Sequence, residues 1–119
     1  MEQTAWGFHL SLDLYDVNRE IITSEKLLKQ FLIDITDFIK MHRFGEPQVY
    51  KFGSGKLEGW SGVQLIEESC ISFHCDEQNG NNTIYIDLFS CCKYNVEKTI
   101  IYLIEYFNAK KVNPLYRER

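Results

Sequence analysis

Two prolines and seven glycines in 119 residues are too few for a collagen-like or proline-rich disordered chain. Long apolar runs are missing too: stretches such as Ile100 to Ile104 fall far short of the ~20 residues that cross a bilayer. Met1 to Trp6 holds Glu2 and polar residues where a secretory leader needs basic charge and an apolar run. The expectation is therefore a cytoplasmic protein in a reducing compartment. Basic charge is in deficit, with 13 Lys and Arg against 17 Asp and Glu and a net charge of −4. The clustered cations that grip a phosphate backbone are lacking, and the short tail Lys110-Lys111 and Arg117-Glu118-Arg119 reads as solvated. Neither nucleic acid nor membrane is an expected partner. In such a compartment Cys70, Cys75, Cys91 and Cys92 read as free thiols, metal ligands or catalytic groups, not as a disulfide framework.

What the chain does have is 45% hydrophobic and 14% aromatic residues, in the length of one ordinary domain. Phe8 to Tyr15 alternates around Leu10, Leu12 and Leu14, as a half-buried strand does. Ser24 to His42 carries an apolar stripe from Leu27 to Ile39 at helical spacing, with Ser24 as N-cap. Val49 to Phe52, Val63 to Ile66 and Ile71 to Cys75 read as short strands. The last two are joined by a four-residue turn, Glu67 to Cys70. After the turn Asn79 to Asn82, Thr83 to Ser90 is the clearest strand, and Asn95 caps a second helix to about Asn108. The expected fold is α+β: a two-layer sandwich, an antiparallel sheet of four to five strands with two helices on one face. The other face would carry Tyr85, Asp87, Phe89 and Cys91. Such a mixture suits a dimer interface, an active site or both.

A four-residue hairpin turn pairs Ile66 with Ile71 and Val63 with His74, so Ser61 and His74 share a face. Ser69 lies in the turn. A serine with a histidine and a second serine nearby can be a nucleophilic arrangement, or a polar hairpin tip with a hydrogen-bonded histidine. Zinc is poorly served, because C-x4-C and an adjacent C-C lack the usual ligand spacing, and no metal is expected.

The literal residues decide further. Ser61-Gly62-Val63, Glu68-Ser69, His74 and Asp87-Leu88-Phe89-Ser90-Cys91, in that order, resemble the prokaryotic S-adenosylmethionine decarboxylase proenzymes. That family reads S-G-V, then E-S-H-L-T-I-H-T-W-P-E, then D-x-F-T-C-G. Gly7-Phe8-His9-Leu10 and Ala109-Lys110-Lys111-Val112 extend the likeness to its first and last strands. The resemblance implies a self-cleaving decarboxylase of polyamine biosynthesis whose pyruvoyl cofactor comes from its own backbone. The Ser69 hydroxyl would attack the Glu68 carbonyl, the ester would eliminate, and hydrolysis would leave a pyruvoyl group on residue 69. His74 and Ser61 would assist that processing. The pyruvoyl group would form a Schiff base with substrate, and Cys91 would donate the proton. The implied active unit is a homodimer of processed protomers, residues 1–68 and 69–119, in four layers α/β/β/α.

The departures concern the nucleoside. The family's T-W-P-E is here Cys75-Asp76-Glu77-Gln78, and its F-H-R-F is Phe52-Gly53-Ser54-Gly55. Asp76 cannot stack on adenine, while Glu77 and Gln78 stand where a ribose-binding glutamate belongs. Lost stacking removes ~1–3 kcal/mol per base. The family default is S-adenosylmethionine. The alternatives are arginine or ornithine, whose cationic ends could meet Asp76 or Glu77, or a non-catalytic regulatory paralogue. Trp60 or Tyr50 could replace the missing aromatic.

Overall fold

The computed structural model describes residues 4–78 and 80–119. Met1 to Gln3, at the start of the chain, and Asn79, in the expected turn, lie outside them. Six strands form one antiparallel sheet: β1 (Phe8–Tyr15), β2 (Arg43–Phe52), β3 (Gly59–Ile66), β4 (Ser69–Asp76), β5 (Thr83–Ser90) and β6 (Lys111–Glu118). Their order across the sheet is β2-β3-β4-β5-β1-β6. One helical turn, α1 (Arg19–Ile22), and two longer helices, α2 (Glu25–Phe38) and α3 (Val96–Phe107), cover one face. The two-layer α+β architecture is the one expected.

The core follows from period-two and period-3.6 patterning. Leu10, Leu12 and Leu14 of β1 and Ile84, Ile86 and Leu88 of β5 are buried in one core cluster with Leu28, Phe31, Leu32 and Ile35 of α2 and Leu103 and Phe107 of α3. Phe31 is its hub, with ring centroids 4.7 Å from Phe107 and 6.0 Å from Phe73. Both helix caps are as read. Ser24 Oγ accepts from the Leu27 amide at 3.1 Å, and Asn95 Oδ1 accepts from the Lys98 amide at 2.9 Å.

Four details differ from expectation. The first long helix stops at Phe38, because Lys40 takes a positive φ of 59° and turns the chain into β2. Strand β2 then starts at Arg43 and carries a register shift between Phe44 and Gln48, which absorbs Pro47. A sixth strand, β6, closes the sheet on β1, although it is largely exposed and contains Pro114. Lastly, the β3–β4 turn has two residues, Glu67 and Glu68, instead of four. Ile66 pairs with Ser69, and His74 pairs with Ser61 rather than Val63. A slip of two residues keeps every side chain on its expected face.

Candidate active site

The sheet face without helices carries the chemistry. Its rows run straight across the strands. Tyr50, Ser61, His74, Tyr85 and Asp13 are successive cross-strand partners, and so are Leu65, Cys70, Phe89 and His9. Phe44, Tyr50, Leu65, Tyr85 and Leu115 are exposed on it. In the first row Ser61 Oγ and His74 Nδ1 are 2.6 Å apart, a strong hydroxyl–imidazole hydrogen bond. Nearby, His9 Nε2 lies 2.9 Å from Asp87 Oδ1.

A second cluster forms at the β3–β4 turn. The positive φ there falls on Ser69, at 150°, a region that a serine rarely occupies and that stores ~1–3 kcal/mol. Beside it the Cys91 amide donates to the Glu68 carbonyl at 2.9 Å. That donor is in place because Ser90 pairs with Ser69, and because Ser90 Oγ bonds the Cys92 amide and carbonyl, turning the chain directly after β5. The Glu68 carbonyl thus carries a fixed N–H on its oxygen, the kind of donor that stabilises a developing oxyanion. Cys91 is half-buried and Cys92 exposed. Partial desolvation, and then a hydrogen bond with Cys91, raise the Cys92 thiol's pKa.

The sequence model of the family described as S-adenosylmethionine decarboxylase matches residues 8–119. The chain belongs to that family. A relative from Archaeoglobus fulgidus, called S-adenosylmethionine decarboxylase proenzyme, is 29% identical over 114 residues, covering 95% of this chain and 96% of its own. The crystal structure of the adenosylmethionine decarboxylase from Aquifex aeolicus VF5 superposes with a TM-score of 0.80 at 23% identity. The match spans 98% of this chain and 92% of that one, so the fold is shared. This S-adenosylmethionine decarboxylase family member is an enzyme of the carboxy-lyase class.

The structure therefore brings Ser61 to His74, and Cys91 to Glu68 and Ser69, but keeps the two groups apart. His74 stands five positions along β4 from Ser69, about 17 Å on an extended strand. The expected substrate contacts are already engaged within the chain. Asp76 accepts from the Gln78 amide at 3.2 Å and from Asn81 at 3.1 Å. Glu77, 7% exposed, lies 3.3 Å from Lys51 Nζ. Gln78 Nε2 donates to the Glu58 carbonyl. Asp76 nonetheless borders a hollow of about 250 Å³ with Glu58, His74 and Tyr85. Of the two suggested aromatic replacements, Trp60 packs against the core, whereas Tyr50 stands exposed beside Ser61.

Among the described residues, the cysteines and His74 do not gather as metal ligands. Cys75 is buried in the core, where burial pushes its thiol far up. Among the described residues, the one group of three potential ligands close enough to converge is His42, Glu67 and Glu68. His42 escaped the reading of the sequence, since nothing local ties it to a residue 26 positions away.

Proposed function

We propose that the chain is a proenzyme that cuts itself between Glu68 and Ser69, and that the processed homodimer decarboxylates S-adenosylmethionine. The observation that carries this reading is the Cys91 amide on the carbonyl of Glu68, next to a backbone-strained Ser69. In the first step Ser69 Oγ attacks the Glu68 carbonyl carbon. The developing oxyanion rests on the Cys91 amide, and the amide nitrogen of residue 69 departs as an amine, leaving an ester. Loss of the Ser69 α-proton then expels the Glu68 carboxylate, so the chain divides into residues 1–68 and 69–119. Water then hydrolyses the enamine left at residue 69, whose nitrogen leaves as ammonia while its carbon becomes a ketone. Strain at Ser69 is released as the bond breaks.

The residues present fit a pyruvoyl group made in this way, since residue 69 carries the hydroxyl and the carbonyl before it accepts from the fixed amide of a cysteine. Bound there, such a group supplies an electron sink for loss of carbon dioxide. Cys91, half-buried and next to the Ser90 that pairs with Ser69, is the thiol assigned to hand over the proton.

Ser61 and His74 serve this chemistry from a second copy. One copy holds them about 17 Å from its own Ser69, too far for proton transfer. They lie on the exposed aromatic sheet face that a face-to-face dimer would cover, giving four layers. The hollow beside His74 then belongs to a site shared between copies, where the Glu58 and Asp76 carboxylates, beside Lys56, are the groups that could meet a cationic substrate. A sulfonium satisfies that, and so do arginine and ornithine. Carbon dioxide release from the three, measured side by side on cleaved protein, tests the reading. Release from S-adenosylmethionine alone supports it; release only from a basic amino acid would replace the substrate.

A further inference from the structure

Glu68 is held unlike an ordinary surface carboxylate. Its side chain is 12% exposed, and both its oxygens go to one residue: His42 Nδ1 lies 2.7 Å from Oε2, and the His42 amide donates to Oε1 at 3.1 Å. The His42 carbonyl in turn accepts from the Glu67 amide at 2.9 Å. These bonds fasten the two-residue β3–β4 turn to the loop between α2 and β2. The Glu68 backbone is thus gripped twice, by the Cys91 amide at its carbonyl and by His42 at its side chain and turn. The His42 side chain is itself 70% exposed, so apolar packing does not explain its place.

We propose that His42 is a positioning residue for self-cleavage: by gripping Glu68 it holds the scissile carbonyl on the Cys91 amide, and it retains the new terminus once the chain is cut. This rests on the Glu68–Ser69 cleavage proposed above. Misplacing a reacting group by about 1 Å can slow a reaction 10²-fold, so a clamp one residue from the bond bears on its rate. The charges around the ring set a pH dependence. Glu68 first, by hydrogen bond and then by charge, and Glu67 more weakly raise the His42 pKa above its ordinary value. Lys40 before it, Cys92 and Lys93 from the β5–α3 loop and Lys98 of α3 line the cavity of about 620 Å³ shared with His42. The charged clamp is complete below the His42 pKa and weakens as pH rises through it.

The test follows cleavage of the full chain after cell-free synthesis, on denaturing gels, across pH. His42→Ala should slow cleavage about tenfold or more. His42→Asn, which keeps a donor near the Nδ1 position, should restore most of the rate. It should also flatten the fall that the wild type shows as pH rises through the His42 pKa. A wild-type chain that cuts while His42→Ala cuts equally fast overturns the assignment alone. Equal slowing in both variants, with the wild-type pH profile unchanged in His42→Asn, also overturns it. A wild-type chain that never cuts overturns this and the cleavage reading together.

Discussion

The Cys91 amide and the Glu68 carbonyl meet at 2.9 Å across the ends of β5 and the β3–β4 turn. In the proposed mechanism one residue thereby offers two separable groups, a backbone donor for cleavage and a thiol for turnover. Cys91→Ala keeps the amide and loses the thiol. Cleavage should proceed in this variant, while carbon dioxide release falls by ~10²-fold or more, the usual worth of a placed proton donor. Gel and carbon dioxide assays on one preparation separate the effects, and unchanged turnover would remove the thiol from the mechanism.

The separation of Ser61 and His74 from Ser69 within one copy makes a second prediction. Ser69→Ala and His74→Ala should each fail to cut, or cut slowly, when alone. Mixed under conditions that exchange subunits, they should cut, because a hybrid pairs an intact Ser69 with the other copy's intact His74. The new fragments should come only from the His74→Ala chain, which mass spectrometry distinguishes. No rescue on mixing would place both groups in one copy.

The His42–Glu68 pair predicts a titration. In Glu68 burial pushes the pKa up, but the His42 ring and amide outweigh it, and the net shift is downward. His42 shifts upward for the reciprocal reason. A raised histidine pKa contributes stability that is fully present below the unfolded value and is lost as pH rises through the folded value. In Ser69→Ala protein, which keeps the turn uncut, the His42 ring signals should titrate above the ordinary 6.5. Glu68→Gln should bring that midpoint down, and an unmoved midpoint would break the assignment of cause.

Gly62 tests the packing under the site. A Cβ built there would lie 2.6 Å from the ring of Phe73, a core residue on the neighbouring strand. Gly62→Ala should therefore destabilise the fold by about 1–3 kcal/mol through overpacking. Thermal unfolding should shift downward accordingly, by several degrees for a domain near this size. An unchanged midpoint would mean that the ring has room to move.

Alternation and capping residues made much of this molecule legible from its sequence. Leu10, Leu12 and Leu14, and Ile84, Ile86 and Leu88, announce β1 and β5, and Ser24 and Asn95 mark both long helices. Strand β6 was not legible by pattern, because an exposed edge strand containing Pro114 has no apolar face to alternate. The β3–β4 turn was misplaced because Glu67-Glu68 carries no glycine or asparagine, while Ser69-Cys70 looks more turn-like. The positive φ that a turn often gives to glycine sits instead on Ser69. Ser61 and His74 were correctly placed on one face, since a two-residue slip preserves it. Their distance from Ser69 needed the register, and the His42 clamp needed the tertiary structure.

The bond before Ser69 decides the proposed mechanism. Intact mass of the purified protein under denaturing conditions reads it directly. Two chains are predicted, residues 1–68 and 69–119, the second lighter by one ammonia than a chain starting with an unmodified serine. Ser69→Ala should give one uncut chain. A single full-length mass for the wild type after prolonged incubation would contradict the account.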